Sequence, residues 1–195
     1  MPAAVTHLLG PDQGQVVRLL ALGVRFMIDG ERTGGAFSLV EHPLPPRALG
    51  APLHTHHNED EYFYVLEGRF GVQLGNQVLE AGPSDLLFKP RGVAHAFWNA
   101  GDEPARLLEL ISPAGFENYF HEMAPLLAAP ERDQAAIGEV VARYQLEIDF
   151  TTIPPWPDST TSIWPDGYTP AEPDRRVPGT LQALPWQLPG DTRQQ

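Results

Sequence analysis

The sequence predicts an all-β domain, an antiparallel sandwich or barrel, followed by two amphipathic helices and an irregular extension. Three observations carry this. Short runs rich in Val, Leu, Phe and Tyr recur between Gln15 and Ile111, separated at regular spacing by turns containing Gly, Asn or Asp. Helical periodicity begins only after those runs. Beyond Phe150, prolines interrupt every period, so neither a long helix nor a long strand can be sustained there. With 195 residues, 42% of them hydrophobic, the chain suffices for one domain with a sizeable core. Three segments follow: a flexible lead-in over 1–14, a barrel with its helices over 15–149, and a Pro- and Trp-rich extension over 150–195.

In chain order, the strand pattern opens with VVRLLAL from Val16, passes Gly23 and continues as VRFMI, then crosses a DGERTGG turn into AFSLVEH. Pro43 to Pro52, rich in Pro and Gly, reads as a surface loop. Further strands are expected at Tyr62 to Leu66, Arg69 to Leu74, Gln77 to Glu80, Leu86 to Lys89, Ala94 to Asn99 and Ala105 to Ile111. Phe116, Tyr119, Phe120 and Met123 then fall on one helix face, with Pro125 expected to kink or end that helix and His121 expected to be exposed. Ile137, Val140, Val141 and Tyr144 make a second such face, and both helices are expected to cover the outside of the barrel while leaving one mouth open. In the extension, Trp156, Ile163, Trp164, Tyr168 and Trp186 are more aromatic than a disordered tail requires, which suggests a strap across the barrel or a neighbouring subunit.

Composition excludes several classes of function. The 25 acidic against 13 basic residues give a formal net charge of −12, which repels polyanions and argues against nucleic acid as a partner. The absence of cysteine removes disulfides, thiolate metal sites and thiol nucleophiles. No basic stretch with a following apolar run opens the sequence, and no stretch reaches about 18 uninterrupted apolar residues, so a cytoplasmic protein with no membrane partner is expected.

The chemistry concentrates between Pro52 and Asn99. His54 and His56 are two positions apart, so on a strand both imidazoles leave the same face. Glu61 can join them only if His57 to Asp60 breaks the strand, and those polar residues suit a turn in which His57 is exposed. His95 follows the Pro90-Gly92 turn and can arrive from a second strand. Three imidazoles and one carboxylate suit one divalent Fe, Mn, Ni, Co or Zn ion, and the lack of thiolate argues against Cu(I). Alternation from Glu61 and His95 places Phe63, Val65 and Phe97 on the inward face, as an apolar wall that can contact a small organic substrate. Four ligands on an octahedral ion leave up to two positions for substrate or dioxygen, and Glu61, released from the ion, could act as a general base.

These residues resemble the cupin superfamily. Its first motif is HxH, three or four residues, Glu, six residues and Gly, matched by His54, His56, Glu61 and Gly68; its second, PxGxxHxxxN, is matched by Pro90, Gly92, His95 and Asn99. Ala48 and Ser84 stand where the family commonly has glycine. The resemblance implies a single-domain double-stranded β-helix, or jelly-roll barrel, that binds one divalent metal through His54, His56, Glu61 and His95 and forms a homodimer. Among single-domain cupins the chain is similar to metal-dependent quercetin 2,3-dioxygenase-like proteins. That similarity implies an oxidoreductase using dioxygen on a small aromatic or enolic substrate, with Glu61 as catalytic base. A metal-dependent isomerase or cyclase, or a small-molecule-binding cupin without catalysis, is the alternative.

Overall fold

The structure is a computed structural model and describes residues 7–149. Two antiparallel sheets face one another. Strands β1 (Val16–Leu19), β2 (Leu22–Ile28), β3 (Ser38–Leu44), β5 (Asp60–Glu67), β8 (Leu86–Lys89) and β10 (Ala105–Ser112) form one, in the order β1-β2-β3-β10-β5-β8. Strands β4 (Leu49–His56), β6 (Phe70–Leu74), β7 (Gln77–Ala81), β9 (His95–Asn99) and β11 (Leu146–Ile148) form the other, in the order β11-β4-β9-β6-β7. This is a double-sheet jelly roll, the fold that the cupin resemblance implies. Alternating side chains fill the space between the sheets: Leu107 and Ile111 of β10 are buried with Val40 of β3, Phe63 and Val65 of β5, and Phe70 and Val72 of β6.

Local chemistry accounts for several boundaries. The DGERTGG segment is more than a turn: Asp29 accepts a hydrogen bond from the Arg32 amide and caps a single helical turn, α1 (Gly30–Thr33). Residues 7–14, expected to be a flexible lead-in, are tied to β2, because the Arg25 guanidinium donates to the carbonyls of Gln13 and Gly10. The segment expected to be a loop up to Pro52 becomes strand at Leu49. Gly50 makes this possible, since a Cβ there would lie 2.1 Å from the Phe97 ring of the neighbouring β9. Ser84 has φ of 75°, so the serine occupies the left-handed conformation that glycine adopts most readily.

Helix α2 (Glu117–Ala128) runs through Pro125 instead of ending there, and α3 (Gln134–Arg143) begins at Asp133, whose carboxylate accepts from the Ala135 and Ala136 amides. His121, expected to be exposed, is partly covered by stacking on Phe26 with ring centroids 3.7 Å apart. After α3 the chain adds β11 to the edge of β4, pairing Leu146 with His56 and Ile148 with His54. The expected aromatic strap, with Trp156, Ile163, Trp164, Tyr168 and Trp186, lies outside the described residues. Among the described residues no helix is long and apolar enough to cross a membrane.

Candidate metal centre

The two sheets deliver the metal-ligand set from opposite sides. His54 and His56 lie on β4, and the antiparallel register sets His95 of β9 directly against His54. The strand breaks over 57–59, and the chain crosses to the other sheet before β5 begins at Asp60. That crossing resolves the parity problem: Glu61 faces the histidines from the opposing sheet. One ligand atom from each of His54, His56, Glu61 and His95 lies within 4.8 Å of the others, and all four residues are buried. His57 is exposed and pairs with Glu147, Nε2 to Oε1 2.9 Å.

Hydrogen bonding orients the imidazoles. His54 Nδ1 lies 2.7 Å from the Pro52 carbonyl and His95 Nδ1 lies 3.0 Å from the Val93 carbonyl. A carbonyl only accepts, so both Nδ1 atoms carry the proton and both Nε2 atoms present lone pairs. His56 Nε2 and His95 Nε2 each lie 3.0 Å from a Glu61 oxygen. Yet His95 Nε2 and Glu61 Oε2 are buried without a hydrogen bond. Glu61 Oε2 already faces the Lys89 ammonium at 2.5 Å, whereas the His95 Nε2 lone pair is buried with no proton to accept and fits a cation; three imidazoles and a carboxylate suit a divalent ion.

The electrostatics follow from burial and charge. Burial, then the neighbouring imidazoles of His95 and His56, hold His54 well below the ordinary histidine pKa. Burial and then Lys89 also lower His95. Burial opposes the charged form of His56, but Glu61 and Glu59 outweigh it and raise the pKa to about 9. Glu61 stays well below the usual carboxylate range: burial pushes it up, while His56 and Lys89 pull it further down. In the metal-free cluster Glu61 is therefore ionised, the form in which a carboxylate can ligate an ion.

Several residues around the centre were passed over in the sequence. Glu59, read as a turn residue, is buried with Oε2 3.4 Å from His56 Nδ1. Lys89 is buried with Nζ 2.5 Å from Glu61 Oε2; because that oxygen makes no hydrogen bond, the contact is ionic. Lys89 Nζ also donates to Glu109 Oε1 at 3.1 Å, and Glu109 Oε2 lies 2.8 Å from His42 Nε2. Two of these carry a weak sequence signal that means something only once the strand register is known. Glu109 is an isolated charge at an inward position between Leu107 and Ile111, and Lys89 closes a strand at the parity that faces Glu61.

Three residues of the candidate cluster, His54, His56 and Glu61, line a cavity of about 170 Å³. Phe97, Phe116, Tyr119, Phe120 and Met123 line it, and Leu20 at the β1–β2 turn contributes from its rim while half exposed. Phe116 packs edge-on against His56 with centroids 4.3 Å apart. Of the three residues expected to contact substrate, Phe97 lines the cavity. Phe63 and Val65 do not: both are buried in the core, and Phe63 carries Lys89 Nζ 3.4 Å above its ring centroid. The helices sit outside the sheets as expected, but their apolar faces also supply part of the cavity wall.

Glycine and asparagine of the second motif have structural work. Gly92 has φ of 76° in the turn before His95, and its amide donates to the His56 carbonyl at 2.7 Å. Asn99 is buried at the end of β9, where its amide nitrogen donates to the carbonyls of Pro45 and Glu103 and its oxygen accepts from the Gly101 amide. It thereby fixes the loops at that end of the barrel.

Residues 41–111 match the cupin domain family. Polyketide synthase CurC of Streptomyces cyaneus is 31% identical over 93 residues, covering 48% of this chain and 56% of that protein. A probable oxidoreductase, virH of Hypocrea virens, is 30% identical over 87 residues, covering 43% of this chain and 40% of that protein. The chain thus spans roughly half the length of the curated relatives it matches. The solved structure of KdgF from Halomonas sp. superimposes with a TM-score of 0.52 at 16% identity, covering 58% of this chain and 99% of that one, a likeness of fold.

Proposed function

We propose that this chain, whose residues 41–111 match the cupin domain family, is a metal-dependent oxidoreductase, a dioxygenase acting on a small aromatic or enolic compound. The observation that carries this reading is the opening of His54, His56 and Glu61, three members of the buried His54-His56-Glu61-His95 cluster, onto a mainly apolar, aromatic-walled cavity. A divalent ion held by these four residues would supply Lewis-acid or redox chemistry. The chain's own contribution is orientation and exclusion of water. Phe97, Phe116 and Phe120 offer ring faces and edges to a planar substrate, while Tyr119 and Met123 complete a wall poor in polar groups. The oxidoreductase name of the virH relative supports the redox reading.

A second reading has its own support. The CurC relative is named for polyketide synthesis, and a polyketide intermediate is both enolic and apolar, so metal-assisted cyclisation without oxygen would use the same cavity. One experiment separates the readings: metal-loaded protein is assayed over a panel of phenolic and enolic compounds in air and under strict anaerobiosis. The dioxygenase reading expects oxygen uptake in step with product and no product without oxygen. Equal product formation under both conditions would remove it in favour of the cyclase, and ligand-induced stabilisation without product would indicate a binding protein.

A further inference from the structure

A lysine beside a metal ligand needs a reason. Lys89 Nζ lies 2.5 Å from Glu61 Oε2, where its charge repels any cation that enters the cluster. It is held there from three sides: by Glu109 Oε1 at 3.1 Å, by the Phe63 ring face at 3.4 Å, and by the Phe97 ring at 5.6 Å. Glu109 is anchored in turn by His42, whose Nδ1 donates to the Gly23 carbonyl at 2.9 Å. The row Gly23, His42, Glu109, Glu61 and Lys89 thus uses one residue from each of the adjacent strands β2, β3, β10, β5 and β8. Buried charges in such a row often stabilise a fold no better than apolar side chains of the same volume, so stability is a weak reason for them.

We propose that Lys89, anchored by Glu109 and His42, is a positioning residue that reserves Oε2 of Glu61 and leaves only Oε1 for the metal. A carboxylate free to turn can chelate with both oxygens and close a coordination position; one oxygen held by an ammonium cannot. Lys89 therefore trades metal affinity for an open position at which substrate enters. The proposal rests on the metal centre and is independent of which reaction is run there.

The test compares wild-type protein with Lys89→Met and, as a milder change that keeps the lysine, Glu109→Gln. Zn²⁺ affinity is measured by calorimetry; the Co²⁺-loaded forms are titrated with azide and, separately, with neutral imidazole, followed by visible absorption. Lys89→Met is expected to bind Zn²⁺ at least as tightly as wild type but azide and imidazole about 10-fold or more weakly, a change typical of a lost partner of a metal ligand. Glu109→Gln shifts both in the same direction by less, and carries the test alone if Lys89→Met does not fold. Weakening of azide alone would mean that only charge was lost, and would overturn the proposal. So would loss of Zn²⁺ affinity with unchanged imidazole binding, which is the signature of a merely structural lysine. Wild-type protein that takes up neither metal would instead overturn the metal centre itself, and this proposal with it.

Discussion

His56 is the histidine whose charge state a metal must change. The metal-free cluster holds it at about 9, because Glu61 and Glu59 outweigh burial, so at pH 7 the ring is protonated. An ion binds only the neutral ring and must displace that proton. Metal uptake at pH 7 is therefore expected to release about one proton, and affinity to rise roughly tenfold per pH unit before levelling above pH 9. Calorimetry in two buffers of different ionisation enthalpy reads the proton directly; a pH-independent affinity from 7 to 9 would rule this out. The same shift has an opposite sign for the metal-free fold. Since the folded pKa lies above the ordinary histidine value of 6.5, the stability His56 contributes is fully present below about pH 6.5 and is lost as pH rises through about 9.

Helix α2 supplies much of the aromatic wall of the cavity, and it shows what the sequence could and could not disclose. Phe116, Tyr119, Phe120 and Met123 share a helix face, which the spacing states outright; that this face meets His56 and His42 instead of plain barrel surface depends on tertiary packing. Phe116→Ala should cost about 3–5 kcal/mol of stability if the space stays empty. It should also admit bulkier aromatic ligands than wild type while metal stoichiometry stays at one. A thermal-shift screen with graded ring sizes checks this, and an unchanged size preference would place the substrate elsewhere. The strands and the four metal-ligand residues were legible because alternation, turn residues and paired motif spacing are local signals. Strand β11 was not, since three residues, Leu146–Ile148, carry too little pattern and form only because β4 offers an open edge. Lys89, Glu109 and His42 were missed for a related reason: each looks like an ordinary strand residue until the register brings the three together across β8, β10 and β3.

For the molecule as a whole, the candidate ligand set spans the two layers. His54, His56 and His95 belong to the five-stranded sheet and Glu61 to the six-stranded one, so an ion held by all four ties the two sheets across the core. An ion that binds this native arrangement and not the unfolded chain stabilises the fold by mass action. At free metal about 100 times the dissociation constant the gain is about 2.7 kcal/mol, which for a protein of this size raises the midpoint of thermal unfolding by roughly 5–10 °C. The net charge of −12 assists by drawing cations toward the surface. Titrating metal into chelator-treated protein should therefore move the unfolding midpoint upward with concentration, and removing the metal should return it. A His54→Ala, His95→Ala double variant should lose most of that response, because Glu61 and His56 alone leave the histidine-rich sheet attached through one ring. If the double variant responds as strongly as wild type, the stabilising metal binds at some other site, and the joint between the sheets is apolar packing alone.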